Sequence, residues 1–161
     1  ADKDPIFIHG EQDGDTYRFV SFHGDVYAAR VGGAVAGFEP AWSILNAADR
    51  KQGWRPGGYQ LIAQHNASGR LYVGMHDKGM EGSHKTPAKE IWTIDLAAKK
   101  RVARTPGTNA IALAVSQGEG ARLFAYDGVK AAIAAFDVGS KLSLAGRLEH
   151  VGETPTQMEL H

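Results

Sequence analysis

The sequence predicts an all-β fold that contains about three four-stranded blades of a β-propeller, and three observations support this prediction. Short apolar runs of strand length alternate with turns rich in Gly, Asp and Asn. Apolar residues recur at intervals of 52, as at Phe7, Tyr59 and Ile111. Four runs fit within each interval, as in propeller blades. An immunoglobulin-like sandwich would give no reason for a threefold match at fixed positions.

The first blade is expected over residues 1–38, and the segment that follows it departs from the blade pattern. Strand-length runs occupy residues 5–9, 16–21, 25–31 and 34–38. After Pro40, the spacing of Trp42 and Leu45 against charged residues is that of a short amphipathic helix. We therefore predict a short helical insertion near residues 40–51.

The second blade is expected over residues 58–105, and it contains the second irregular segment. Its runs are 59–63, 70–73 and 91–96, with an outer strand at 101–104. Asn66-Ala67-Ser68-Gly69 separates the first two runs as a tight hairpin turn. Between residues 74 and 88 lies an insertion that contains His76 and His84, at a position where the other blades have only a turn.

The third blade is expected over residues 110–149, with runs at 110–115, 122–126, 131–136 and 142–148. Residues 156–160 alternate in polarity and predict a closing strand. The whole chain, 1–161, is thus predicted to be a single partial propeller domain. Propellers typically close with about four to eight blades, and open sheet edges favour aggregation. The remaining blades are therefore expected from a longer or cleaved chain, or from another subunit.

Composition limits the classes of partner. Eighteen basic and eighteen acidic residues cancel, and neither sign forms a long block, so nucleic acid and anionic membranes are not expected as partners. The chain has no cysteine, so it has neither a disulfide framework nor a thiolate site. No apolar run reaches transmembrane length. The Ala-Asp-Lys start suits a mature or trimmed chain.

The sequence does not predict a catalytic, cofactor-binding or metal-binding residue. His76 and His84, with acidic residues nearby, are the best candidates for a metal site, but a glycine-rich gap of this kind specifies no converging geometry. No serine lies in a Gly-x-Ser-x-Gly elbow. Asp95 and Asp137 each close a third strand, and their recurrence predicts turn capping rather than catalysis.

Two loops are the best candidates for a subunit interface. Trp54 and Arg55 begin a Trp-Arg-Pro-Gly-Gly turn just before an inner strand, which is expected near one mouth of a propeller. A buried Trp54 that anchors the first insertion is an alternative, and the two interpretations are compatible. The 74–88 insertion adds His84 and Lys85, so the interface candidates are Trp54, Arg55, His84 and Lys85.

Several segments resemble a known family. DPIFIHG, VSFHGDVYAARV, AWSILNAADRKQGWRPGGYQLIAQHNASGRLYV, EGSHKTPAKEIWTIDLAAKKRVARTPG and QMELH are similar to the C-terminal part of the heavy subunit of aromatic amine dehydrogenase. More distantly, they resemble the same region of the methylamine dehydrogenase heavy subunit. PAWSILN favours the aromatic-amine branch. The resemblance covers some two-fifths of such a subunit, which is a seven-bladed propeller in that family.

The resemblance implies a function for a larger assembly. Enzymes of this kind are periplasmic heterotetramers that oxidise primary amines to aldehyde and ammonia. Their cofactor, tryptophan tryptophylquinone, is made from two tryptophans of the light subunit, which also holds the catalytic aspartate. Electrons pass to an azurin-like copper protein. This chain would scaffold the light subunit without catalytic residues, and Trp42, Trp54 and Trp92 are not expected to form a quinone. The alternative is a non-enzymatic propeller that acts as a protein-interaction scaffold.

Overall fold

Residues 7–32, 37–57, 61–77 and 86–149 are described by the computed structural model, and most of them lie in antiparallel strands or in the turns between strands. The strands are β1 (Phe7–Asp13), β2 (Thr16–Ser21), β3 (Asp25–Arg30), β4 (Gly37–Phe38), β5 (Trp42–Ser43), β6 (Arg55–Pro56), β7 (Ile62–His65), β8 (Arg70–His76), β9 (Ala88–Asp95), β10 (Lys100–Val115), β11 (Arg122–Asp127), β12 (Ala132–Asp137) and β13 (Ser143–Leu148). The single helix of the described ranges is α1 (Ala47–Lys51). The predicted all-β class is confirmed.

The first sheet is an antiparallel meander in the order β1-β2-β3-β4, with β5 also paired to β3. Val20 pairs with Val26 across the tight turn between β2 and β3, and Gly24 N donates to Ser21 O at 2.9 Å to close that turn. Gly24 has a φ of 86°, a left-handed conformation that glycine adopts without strain. The predicted strand at 16–21 is therefore confirmed residue for residue.

The second sheet contains two meanders that share one long strand, β10. We call β6 to β9 with the first half of β10 the middle meander, and the second half of β10 with β11 to β13 the last meander. The order of this sheet is β13-β12-β11-β10-β9-β8-β6, and β7 also pairs with β8. The first half of β10 pairs with β9 and its second half pairs with β11, with a register shift between Pro106 and Ala110. The sequence predicted two separate strands here. They run together because Ala110 pairs with both Ala88 and Asp127, which keeps the ladder continuous.

The predicted helical insertion near 40–51 was too long. Trp42 does not lie on a helix but in β5, where it pairs with Val26 of β3. Asn46 then caps α1, because its side-chain oxygen accepts from Asp49 N at 2.8 Å. Asp49 Oδ2 in turn accepts from Asn46 N at 2.9 Å, which completes a capping box. An available strand edge and a capping box thus shorten the helix to five residues. No helix in the described ranges has the length and apolar character needed to cross a membrane.

Two apolar cores lie between the meanders. Successive residues of β8 point to opposite sides of the sheet, so Leu71 and Val73 join one core and Tyr72 joins the other. The first core combines Val20 and Val26 of the first sheet with the middle meander, and the second combines the middle meander with residues such as Leu123 of the last. The middle meander is therefore packed on both faces, as expected for part of a β-propeller.

Candidate functional site

The structure describes two of the four predicted interface residues, Trp54 and Arg55, whereas His84 and Lys85 lie outside the described residues. Arg55 begins β6 and pairs with His76 at the end of β8. Gly57 N also donates to Gly74 O at 2.8 Å. Main-chain hydrogen bonds therefore join residues 55–57 to the end of β8. Arg55–Pro56 form a short strand where the sequence predicted a turn, and β8 runs to His76, three residues into the predicted 74–88 insertion.

Trp54 is buried in the first core, with 4% of its surface exposed, which agrees with its interpretation as an anchor. Its ring packs on Trp92 with a centroid distance of 5.3 Å and an interplanar angle of 48°. This spacing is ordinary for packed aromatic rings. The two indole N–H groups donate to Gln52 Oε1 at 3.1 Å and to Glu90 Oε1 at 2.9 Å respectively. The Trp54 side chain therefore anchors the start of β6 to the first core.

Two arginines of β10 cover the tryptophan pair. The Arg101 guanidinium lies 4.3 Å from the Trp92 ring centroid. The Arg104 guanidinium lies 4.8 Å from the centroid of Trp54 and 5.2 Å from that of Trp92. A cation over an indole face contributes about 0.5–2 kcal/mol, with the larger values at desolvated sites. We call Trp54, Trp92, Arg101 and Arg104 the tryptophan–arginine cluster.

Two carboxylates complete the electrostatics of the tryptophan–arginine cluster. Asp49 accepts from Arg101 Nη1 at 3.0 and 3.1 Å, so the carboxylate that caps α1 also ties the helix to β10. Glu90 Oε1 accepts from Arg104 Nε at 2.6 Å. Burial raises the pKa of Glu90, but the hydrogen bonds from Arg104 and Trp92 outweigh it and leave the pKa below its usual value. The Glu90 carboxylate is thus held in its charged form.

An ion pair closes the base of the 74–88 insertion. Lys89 Nζ lies 2.7 Å from Asp77 Oδ2, across the two ends of the insertion. The hydrogen bond from Lys89 holds the pKa of the Asp77 carboxyl below its usual value. Both side chains are accessible to solvent, so the pair contributes little to stability. The two ends are already held together by the pairing of β8 with β9, as at Met75 and Glu90.

The structure describes three of the histidines and aspartates that the sequence singled out, namely His76, Asp95 and Asp137. In the described ranges, no three His, Cys, Asp or Glu side chains lie close enough to hold a metal ion. His76 is buried in β8, and its predicted partner His84 lies outside the described residues. Asp95 Oδ1 accepts from Ala98 N at 2.9 Å, which confirms the predicted turn cap there. Asp137 instead forms an ion pair with Arg122 at 2.8 Å.

A small cleft lies between the middle and last meanders. Its volume is about 150 Å³, and it is lined by Thr108 from β10 and by Asp127, Phe136 and Arg147 from the last meander. Cavities that enclose drug-sized ligands are larger, about 300–1,000 Å³. The cleft is therefore too small to enclose such a molecule.

Sequence reasoning missed most of the tryptophan–arginine cluster. Trp92 was recognised only as a strand residue, and Arg101 and Arg104 only as parts of an outer strand. One signal was available, because the charged residues Glu90, Arg101 and Arg104 lie in strands that pair with each other. The contacts among these residues can be inferred only after the register of β9 and β10 is known.

Comparison with known proteins identifies the family of the chain. The family model of the methylamine dehydrogenase heavy chain matches residues 3–160. The methylamine dehydrogenase heavy chain of Methylobacillus flagellatus is 23% identical over 159 residues, covering 97% of this chain and 39% of that protein. That of Methylophilus methylotrophus is 26% identical over 139 residues, covering 86% and 34%. That of Methylorubrum extorquens is 28% identical over 131 residues, covering 80% and 32%.

A solved structure gives an independent comparison of fold alone. The structure of U3-55K superposes with a TM-score of 0.56 at 12% sequence identity, covering 93% of this chain and 41% of that one. The chain spans about two fifths or less of the length of the curated relatives that it matches. With nearly its whole length matched by the family model, the chain belongs to the methylamine dehydrogenase heavy chain family.

Proposed function

We propose that this member of the methylamine dehydrogenase heavy chain family is part of the heavy subunit of an amine dehydrogenase. The observation that carries the proposal is the match of the family model over residues 3–160, a range that includes all the described meanders. The complete enzyme would oxidise primary amines to aldehyde and ammonia. Tryptophan tryptophylquinone, held by a partner light subunit, would accept the electrons of the amine.

The chain would serve this enzyme as one part of a ring. We assign residues 1–161 to a single partial propeller, with blades at 1–38, 58–105 and 110–149. The three antiparallel meanders and the two cores between them support this division. The closing strand assigned to 156–160 lies outside the described residues. The remaining blades of the heavy subunit would complete the ring.

The tryptophan–arginine cluster would fix the surface that meets the light subunit. It holds the turn at 54–57 from the interior, while Arg55 stays partly accessible beside the start of the 74–88 insertion. A segment that is already paired to a neighbouring strand loses little further conformational entropy when it forms a contact. We place Trp54 there as a positioning residue, and Arg55, His84 and Lys85 as contacts. The chain itself would contribute no catalytic group.

Finer features of the enzyme follow from the resemblance of particular segments. PAWSILN favours an aromatic rather than an aliphatic primary amine. An azurin-like copper protein would accept the electrons, and the complex would be a periplasmic heterotetramer of heavy and light subunits.

In this chain, Trp54 and Trp92 lie at the spacing of packed rings and donate their N–H groups to side chains. This arrangement fits a structural pair, with the quinone in the light subunit.

Visible spectroscopy of the complete native complex tests the proposal. We expect a quinone absorbance that an added primary amine bleaches, together with a second, smaller subunit in the purified material. The ratio of kcat/KM for an aromatic amine to that for methylamine then tests the choice of substrate. A colourless protein that binds other proteins and does not react with amines would refute the enzyme and favour the non-enzymatic scaffold.

A charge reversal tests the contact surface separately from the chemistry. Arg55→Glu in the complete complex should weaken the association of heavy and light subunits by at least tenfold, because it places a negative charge on the proposed surface. Lys130→Glu is the matched control, since Lys130 is exposed in the turn between β11 and β12. Equal affinity for all three proteins, measured by dissociation on dilution, would remove Arg55 from the interface.

A further inference from the structure

Side-chain amides join the three meanders at the end of the sheets opposite to Arg55. Gln117 Nε2 donates to Gln64 O at 2.8 Å, and Gln117 Oε1 accepts from Asn66 N at 2.9 Å. Asn66 Nδ2 donates to Gln12 O at 3.1 Å, and Gln64 Nε2 donates to Asn66 Oδ1 at 2.9 Å. We call Gln12, Gln64, Asn66 and Gln117 the amide belt. Its members come from the first, middle and last meanders in turn.

The contacts of the amide belt follow the repeat of the chain. The partners of its three inter-meander bonds are 51, 53 and 54 residues apart, close to the 52-residue interval of the apolar pattern. Gln12 lies near the end of β1, Gln64 near the end of β7, and Gln117 just after β10. In both steps an amide side chain donates to a main-chain carbonyl of the preceding meander. One geometric rule is therefore used twice.

The amide belt differs in physical character from the cores beside it. Burial of apolar surface is not directional, so it sets the relative position of two sheets through side-chain packing and not through paired donors and acceptors. Hydrogen bonds require both a distance and an angle. The Gln117 side chain donates one hydrogen bond to the main-chain carbonyl of Gln64 and accepts another from the main-chain N–H of Asn66. The two bonds together fix both the separation and the register of the middle and last meanders. These bonds also satisfy main-chain groups at the ends of the sheet ladder.

We propose that the amide belt is the surface by which each blade recognises the next one, and that it locks their register at one mouth of the propeller. The partner that fits this surface is a further blade with a side-chain amide just after its inner strand, donating to an inner-strand carbonyl. The inference rests on the blade assignment made above and not on amine oxidation. It also separates the two mouths, since the proposed subunit contacts lie at the other end of β8.

Amide hydrogen exchange at single-residue resolution in the complete protein tests the proposal. Gln117→Met keeps the length of the side chain but removes both hydrogen bonds, so exchange of the Asn66 main-chain N–H should accelerate by roughly tenfold. Glu119→Met is the matched control. Glu119 is exposed in the same turn as Gln117 and lies outside the amide belt. Exchange at Asn66 should therefore be unchanged in Glu119→Met.

Two results would overturn the proposal. One is unchanged exchange at Asn66 in a folded Gln117→Met protein, and the other is an equal acceleration in Glu119→Met. If Gln117→Met does not fold, the unaltered protein still provides a test. Its Asn66 N–H should exchange at least about tenfold more slowly than in an unstructured peptide, and an unprotected rate would refute the lock. Exchange does not depend on amine turnover, so the proposed enzyme and the amide belt can fail independently.

Discussion

Replacement of Asp49 by alanine tests whether one buried carboxylate holds the insertion between β5 and β6. Asp49 accepts from Asn46 N at 2.9 Å and from Arg101 Nη1 at 3.0 and 3.1 Å. Its side chain is 6% exposed, against 23% for Arg101. The substitution therefore removes part of the helix cap and leaves a largely buried guanidinium without its carboxylate.

The expected loss follows from these two contributions. Loss of a capping residue costs about 1 kcal/mol. Loss of hydrogen bonds between charged groups costs about 1.5–3 kcal/mol, and water reaching the partly exposed Arg101 offsets some of it. We therefore expect Asp49→Ala to lower the free energy of unfolding by about 2–4 kcal/mol. Asp49→Asn keeps an oxygen for the cap but loses the charge, so its loss should be about 1–2 kcal/mol.

Urea unfolding of the complete protein, followed by tryptophan fluorescence, measures these losses, because Trp92 lies under Arg101 and Trp54 packs on Trp92. The control is Asp137→Ala. Asp137 pairs with Arg122 at 2.8 Å, but the two side chains are 55% and 41% exposed. Exposed pairs contribute at most about 1 kcal/mol. A loss below about 0.5 kcal/mol in Asp49→Ala, or an equal loss in Asp137→Ala, would refute the role assigned to Asp49.

Three further predictions concern single side chains. Glu90→Gln should lose stability relative to the unaltered protein above pH 4.5, the usual pKa of Glu, and urea midpoints should converge as pH falls through the lowered folded pKa. Gly74→Ala should lower the free energy of unfolding by about 1–3 kcal/mol, because the added Cβ would lie 2.8 Å from two side chains. Gly146→Ala is the control, since its Cβ would point into open space, and thermal unfolding should show a change of less than about 0.5 kcal/mol. Tyr72→Phe removes a 3.0 Å hydrogen bond to the Gly139 carbonyl and should lower the free energy of unfolding by about 1 kcal/mol. Tyr126→Phe removes a buried hydroxyl that has no partner in the described structure, so urea unfolding should show no change in stability.

Most of the longer strands were predictable from the sequence because the signals are local, whereas β5, β6 and the continuity of β10 were not. Alternating apolar residues and the turn formers between them lie within a few positions of each other, so β2 agrees with prediction residue for residue. The predicted helix is present but shorter than expected, for a non-local reason. The spacing of Trp42 and Leu45 suits a helix, but β3 offers Trp42 a strand edge through Val26. Tertiary pairing here overrides local periodicity.

The sequence by itself determined the all-β class, the repeat near 52 residues and the candidate turn at Trp54 and Arg55. Only the tertiary structure decided which side chains meet across that repeat. Asp49 pairs with Arg101 and Gln117 with Gln64, over separations of 52 and 53 residues. Such contacts depend on how neighbouring sheets stack and on the register of each ladder, and no local pattern in the chain encodes either one.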